Sequence, residues 1–270
     1  MTIITISRGS YSWGREVAEK VASRLKYQCV SREVLLRASD RFDVPEVALE
    51  HAVKDAPSLL DRITGGKPSY VAYVQSALAR HVQRDDVVYH GLAGHVLLKN
   101  VRHVLKVRVV ADRESRIEGV RKRDGLNRRA AESLISKLDS ERRKWTRSLY
   151  GVDPQDPTLY DLLLNVTRFS VSGVADMVVR AAKMKPFATT KDSQQQLDDL
   201  VLASQVKARV VDTFHDVFVT CRHGNMLVYC APGERHRQKV KRAVRGACRS
   251  LAGVKNLEVH PGVAPPKDAV

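Results

Sequence analysis

A chain of 270 residues is long enough for one large domain, or for a main domain with a small companion, and either can bury a core. Its formal net charge of +16 directs attention to anionic partners: nucleotides, nucleic acid or an anionic membrane surface, among which charge alone does not choose. No apolar stretch reaches the ~18 residues that span a bilayer and no basic-then-apolar leader precedes the first strand-like run, so a cytoplasmic protein that is not transmembrane is expected.

The first 182 residues alternate strand-like and helix-like patterns, which predicts an α/β fold with a mainly parallel sheet flanked by helices. Candidate strands are 3–7, 86–90, 104–110 and 160–166, short apolar runs suited to a sheet covered on both faces. A helix is expected over 15–25, where Val17, Val21 and Leu25 recur every fourth residue beside Ala18 and Ala22. Residues 183–196, with a proline and a glutamine run, lose apolar periodicity and read as a linker.

Residues 197–262 then read helix, two strands, helix, strand, a small α+β domain, with 263–270 as a tail. Alternation over Val217, Val219 and Cys221, then Val228 and Cys230, predicts a hairpin with Gly224 and Asn225 as turn residues. From Glu234 a helix carries Val240, Val244, Ala247 and Leu251 inward, and Gly253 stops it before a last strand. Cys29, Cys221, Cys230 and Cys248 are scattered without a CxxC pair, so neither a metal site nor a disulfide framework is expected.

The stretch "ITISRGSYSWGREVAEK" is a strand, a loop with glycines and a helix start, an arrangement that gathers unpaired amide N–H groups and the positive helix end at one point. Gly9 and Gly14 take the glycine positions of G-x-x-x-x-G-K-[ST], while Arg15 replaces the lysine and Glu16 the hydroxyl residue that would hold Mg²⁺. By itself the pattern leaves two readings open, a phosphate loop or an ordinary strand-to-helix turn.

Over roughly 1–182 the chain resembles the cytidylate kinase-like family of P-loop nucleoside monophosphate kinases. The matching residues are Ile6, Ser7, Arg8, Ser12, Gly14, Arg15 and Glu16; then "SRE" at 31–33; then "DSERRKW", where Asp139, Arg142 and the aromatic Trp145 match; then "YDLLLN" at 160–165. The resemblance implies transfer of the ATP γ-phosphoryl group to a pyrimidine nucleoside monophosphate, with ATP and Mg²⁺ as cofactors. It implies donor phosphates held by Arg8, Gly9, Ser10, Ser12, Gly14, Arg15 and Glu16, an acceptor near Arg32 and Gly91, and Arg15, Arg142 and Arg143 acting on the transferred group, with Asp139 orienting an arginine. A closing lid would be built around Arg113, Arg116, Arg121, Arg123, Arg142, Arg143 and Arg147, of which about two act on phosphate.

The sequence departs from that family in three places. Leu92 follows Gly91 where an acceptor-holding arginine is usual, and Tyr11 and Trp13 stand where loop glycines are usual, which predicts an open or differently shaped loop, rings stacked on a base or partner, or rings packed on the second domain. His90 and His95 flank Gly91 and Gly94 and are candidate bases or phosphate donors, and Asp85 and Asp86 are read as a solvated turn. The C-terminal region resembles the BON fold in pattern, a module associated with phospholipid or small-ligand binding. Its basic helix, with Arg235, Arg237, Lys239, Lys241 and Arg242, suits an anionic lipid or acidic protein surface, nucleic acid less so, because Phe218 and Tyr229 alone offer stacking on the strands. Three functions therefore compete: a kinase; a catalytically impaired nucleotide- or anion-binding regulator; and, on charge alone, a nucleic-acid or membrane-surface binder whose N-terminal domain is only scaffold.

Overall fold

The computed structural model describes residues 2–31, 67–91 and 93–270, which divide into two compact units. The first contains the described residues up to 31 together with 84–99 and 103–189; the second contains 67–83, 100–102 and 190–270.

In the first unit five parallel strands form a sheet in the order β2-β3-β1-β4-β5, with β1 (Ile3–Arg8), β2 (Gln28–Ser31), β3 (Val87–His90), β4 (Val104–Val110) and β5 (Leu162–Asn165). Ile4 and Ile6 of β1, Val88 of β3 and Leu105, Val107 and Val109 of β4 are buried beneath α1 (Gly14–Leu25) and a later helix, 166–182. From α1 come Val17, Ala18, Val21 and Ala22, the face its apolar spacing predicts. Each fully buried valine contributes about 2 kcal/mol. Lys26, in a left-handed conformation (φ 59°), ends the helix.

Strand ends differ from the sequence reading for local reasons. β3 starts one residue late because Asp85 and Asp86 both take left-handed backbone (φ 58° and 56°). Asp85 is not part of a solvated turn: it is 6% exposed, its Oδ1 lies 3.0 Å from His103 Nε2, and its other oxygen accepts from Thr189. Burial works to raise its carboxyl, and the bonds from His103 and Thr189 outweigh that and hold it below the ordinary value. At the far side, β5 is shorter than 160–166 because Asn165 caps the following helix through Thr167 N–H (3.0 Å). The four-residue β2 has one fully buried side chain, Val30, too little pattern to be read beforehand.

The helices of this unit, besides α1, are a single turn α3 (Gly94–Leu97), α4 (Arg113–Asp124), α5 (Arg128–Tyr150) and α6 (Val166–Ala182), while α2 (Lys67–Val82) belongs to the second unit. Asp112 caps α4 by accepting from Ser115 N–H at 2.7 Å, and Asn127 caps α5 through Ala130 N–H at 2.9 Å. Both helices end at glycines with positive φ, Gly125 and Gly151.

In the second unit α7 (Lys191–Val210) packs with α2, Ala72 and Tyr73 meeting Ala208 and Val211, and Gln83 Nε2 donates to Asp198 at 2.9 Å. A segment from the middle of the sequence thus joins the C-terminal unit, whereas the sequence reading kept 1–182 together. α7 also starts inside the stretch read as a linker: Thr190 and Ser193 form a capping box, and the glutamines that follow are good helix formers although they lack periodicity.

Three strands, β6 (Phe218–Arg222), β7 (Asn225–Cys230) and β8 (Asn256–Pro261), form a sheet in that order, β6 antiparallel and β8 parallel to β7. The hairpin turn is His223–Gly224 rather than Gly224–Asn225: both turn residues have positive φ (51° and 81°), and Asn225 already pairs with Arg222. Buried Asp199 selects this turn by accepting from His223 N–H at 2.7 Å and Gly224 N–H at 3.0 Å. α8 (Glu234–Cys248) buries Val240 and Val244, with Arg235, Lys239 and Arg242 exposed, Lys241 half-buried and Arg237 bonded to Glu234 at 3.3 Å. Beside Phe218 and Tyr229, paired across β6 and β7, His260 of β8 stacks on Tyr229 at 5.5 Å. The tail returns along β6, Val270 exchanging both backbone hydrogen bonds with Val219. No helix among the described residues is long and apolar enough to cross a membrane.

Candidate active site

Beyond Arg8 the chain leaves the sheet, crosses 9–13 and enters α1. Gly9 N–H bonds Val109 O at 3.3 Å, and the fully buried Ser12 hydroxyl bridges Gly9 O (3.0 Å) and Val109 O (3.1 Å), which fastens the loop to the end of β4. Gly14 must be glycine, since a Cβ there would stand 2.6 Å from Arg8 Cβ.

Tyr11 and Trp13 both hold φ 54°, the left-handed conformation that glycine adopts freely and other residues at a cost of about 1 kcal/mol. The aromatics therefore keep a backbone suited to glycine instead of reshaping the loop. Packing compensates. Tyr11 lies against Ile117, Val120, Ala131 and Ile135 of α4 and α5, under the Arg123 guanidinium at 4.4 Å from its centroid. Trp13 packs on the sheet core and faces Gly119, where a Cβ would come 3.2 Å from the indole. Both rings pack within the first unit.

At the carboxyl ends of β1 and β4 lies a cavity of about 190 Å³. Ligands of open α/β sheets bind at this side. Five arginines line it: Arg8 from β1, Arg108 from β4, Arg116 from α4, and Arg142 and Arg143 from α5; Asp139 is the one acidic side chain among its described lining residues. Guanidinium groups only donate hydrogen bonds, so a cavity with five of them in its lining can receive an anion with several oxygens.

The arginines differ in how they are held. Arg116 is clamped: Nε donates to Ser10 O at 2.8 Å and a terminal nitrogen to Asp139 at 2.6 Å, while Asp139 also accepts from Ser10 N–H at 3.3 Å. This three-membered link ties the loop to α4 and α5. Arg143 and Arg147 share Asp153 at 2.5 and 2.6 Å. The bond from Arg143, helped by Gln155 N–H, lowers the Asp153 carboxyl to about 2. Arg108 donates to Tyr160 Oη at 3.3 Å, and Tyr160 donates to Pro154 O at 2.9 Å. His95, 3% exposed, tilts over the Tyr160 ring at 4.6 Å.

Of the residues singled out in the sequence, Arg8, Gly9, Ser12, Asp139, Arg142 and Arg143 are brought together at the cavity. Ser10 is buried beside it, its amide turned to Asp139. Arg15 is elsewhere: its side chain is 66% exposed, with Nε 2.7 Å from Glu19, and neither it nor the exposed Glu16 lines the cavity. Gly91 does not line it either; a Cβ there would lie 2.6 Å from Tyr89 Cζ, so packing against a buried ring accounts for the glycine. Arg32 and Leu92 lie outside the described residues. Among the lid arginines Arg116 joins Arg142 and Arg143, while Arg113, Arg121 and Arg123 bond Ser136, Glu118 and Asp124. His95, not His90, reaches the cavity. Arg108 was missed as a lining residue, although a charged residue inside a strand such as "VLKVRVV" is a usable signal.

The residues fit a nucleotide's phosphates better than they fit a metal. Among the described residues no group of three His, Cys, Asp or Glu side chains converges as a metal site. Magnesium brought with a nucleotide relies mainly on phosphate oxygens and water, and the one carboxylate among the described lining residues, Asp139, is bonded to Arg116 and Ser10.

Comparison with known proteins places this geometry in context. The model of the cytidylate kinase-like family matches residues 3–168. A cytidylate kinase from Methanopyrus kandleri is 35% identical over 96 residues, 33% of this chain and 50% of that protein, and one from Archaeoglobus fulgidus is 26% identical over 185 residues, 67% of this chain and 95% of that protein. The chain thus spans about half the length of the first of these relatives. A crystal structure of an uncharacterized protein from Eubacterium ventriosum superposes with a TM-score of 0.53 at 18% identity, covering 68% of this chain and all of that one, which supports the fold alone. With its five-stranded parallel sheet flanked by helices and a family match over more than half its length, the chain belongs to the cytidylate kinase-like family.

Proposed function

We propose that this protein is a cytoplasmic phosphotransferase that moves the ATP γ-phosphoryl group to a pyrimidine nucleoside monophosphate of the CMP type. The observation that carries the reading is the convergence of Arg8, Arg108, Arg116, Arg142 and Arg143 on one cavity at the carboxyl ends of β1 and β4, beside the loop that opens α1. Phosphoryl transfer asks mainly for positioning and for neutralisation of charge on the phosphate oxygens. Bound magnesium would supply part of that neutralisation.

The chain's own groups do the rest. Arg8 and the loop face the donor phosphates; Arg116, fixed by Ser10 O and Asp139, holds the loop against α4; Arg142 and Arg143 face the group in transit. The exposed position of Arg15 moves the catalytic emphasis from α1 to α5. Incubation of the purified chain with ATP, Mg²⁺ and each nucleoside monophosphate tests this. Diphosphate product that disappears in Arg142→Ala is expected, and no product with any acceptor overturns it.

One observation favours a second reading, a nucleotide- or anion-binding regulator without turnover: the Ser10 amide, in a loop where amides would meet phosphate, is engaged by Asp139. Nucleotide-dependent thermal stabilisation without product selects it. Under either reading we assign an anionic partner surface, lipid or protein, to the exposed Arg235, Lys239 and Arg242 of a BON-like C-terminal unit.

A further inference from the structure

One cavity side chain stands apart from the guanidinium groups. His95 stands on the turn after β3, 3% exposed, and neither ring nitrogen has a hydrogen-bond partner among the described residues although both are buried. A buried polar group left unmet is costly, and a phenylalanine would fill the same space against Tyr160 without that cost.

The surroundings decide what such an imidazole can do. Arg108 and Lys106 of β4 act on it, Tyr160 lies against one face, and Arg8, Arg116, Arg142, Arg143 and Asp139 line the same cavity. Burial foremost, then Arg108 and Lys106, lower it to about 4, so at neutral pH one nitrogen keeps a lone pair. The arginines offer only donors, and Asp139 is already engaged by Arg116 and Ser10. Ionised phosphate oxygens accept from the arginines and can accept from the imidazole N–H, but they leave the lone-pair nitrogen of His95 unmet. A phosphate ester with a hydrogen-bond donor in its organic part would satisfy both.

We propose that His95 selects the acceptor: a ring nitrogen of its imidazole accepts a hydrogen bond from a hydroxyl or amino group on the organic part of the phosphorylated substrate. This rests on the phosphotransferase reading for the identity of the ligand as an acceptor, but not on turnover. The shared chemistry is a neutral donor beside an anion, and its two sources in a nucleotide are the sugar hydroxyl and the base amine.

Calorimetric titration of the full chain separates them, with CMP, 2′-deoxy-CMP, UMP and inorganic phosphate as probes. The wild type is expected to favour CMP over one of the first two analogues by roughly tenfold, the worth of one well-made hydrogen bond. Loss against 2′-deoxy-CMP names the hydroxyl as the group read; loss against UMP names the amine. His95→Phe removes that preference, with inorganic phosphate losing less affinity than CMP does, and His95→Gln, which keeps an acceptor, retains part of it.

An unchanged preference in His95→Phe, or no preference in the wild type, overturns the assignment. If His95→Phe does not fold, the same comparison is made between His95→Gln and wild type, where an undiminished preference together with an unperturbed His95 imidazole nitrogen resonance on adding CMP overturns it. The two proposals fail separately. Selective binding without diphosphate product removes the enzyme and leaves the selector; product with an unaltered preference in the variants does the reverse.

Discussion

Replacing Trp13 by alanine and by glycine gives two variants whose difference isolates backbone strain from packing. Both lose the half-buried indole that lies on the sheet core and on Gly119, a loss of about 2 kcal/mol, half of what a fully buried tryptophan is worth. Alanine keeps the unfavourable left-handed φ of 54°, and glycine does not. Trp13→Gly should therefore be more stable than Trp13→Ala by about 1 kcal/mol, in spite of the freedom glycine adds to the unfolded chain. Thermal unfolding followed by near-ultraviolet circular dichroism should separate the two midpoints by about 2–4 °C, with wild type above both. Equal midpoints, or a more stable alanine variant, would show that the loop is not held in a glycine-type conformation. Packing of the two rings would then have no backbone strain to offset.

Other consequences follow from the same geometry. Arg116→Met severs the bonds to Ser10 and Asp139, leaves a carboxylate without its main partner, and should weaken ATP binding by roughly tenfold or more in a calorimetric titration, with a stability loss of about 2 kcal/mol. The His95 imidazole is lowered from 6.5 to about 4, so the unfolded chain takes up a proton that the folded chain refuses. Its contribution to stability is full above pH 6.5 and is lost as pH falls towards 4, in all about 3 kcal/mol, and urea titrations across that window should show a flatter pH dependence for His95→Gln. Asp153, lowered to about 2 chiefly by Arg143, acts in a lower window: its stabilising effect is lost as pH falls from about 4 towards 2, and Asp153→Asn should remove that part of the acid limb. Joint replacement of Arg235, Lys239 and Arg242 by glutamine should abolish binding to anionic vesicles, which in the wild type should weaken steeply with salt; equal binding by both proteins in flotation assays would remove the surface assigned to α8.

The sheet was legible where apolar residues run or alternate long enough to leave a pattern, as in "ITIS" and "VLKVRVV". It was not legible in β2, where a single buried Val30 is all that four residues offer. Long-range pairing escaped for a different reason. Ala72 and Tyr73 carry nothing local to say that their partners are Ala208 and Val211, so α2 was kept with the first unit.

At the site, residue type was legible and direction was not. Gly9, Ser12, Asp139, Arg142 and Arg143 line the cavity, whereas Arg15 turns outward to Glu19 because the helix puts its side chain on the wet face. Tyr11 and Trp13 misled because their bulk was weighed and their possible partners on α4 were not. Asp85 misled likewise, its two partners, His103 and Thr189, being remote in sequence.

The central claim is that the arginine-lined cavity at the ends of β1 and β4 holds nucleotide phosphates for transfer. Its most direct test is chromatographic detection of diphosphate product from ATP, Mg²⁺ and CMP, run side by side for wild type, Arg142→Ala and Arg15→Ala. We expect product from wild type, none from Arg142→Ala, and most of the activity retained by Arg15→Ala. Product that survives the loss of Arg142 but not of Arg15 would contradict the account and return the chemistry to the helix start.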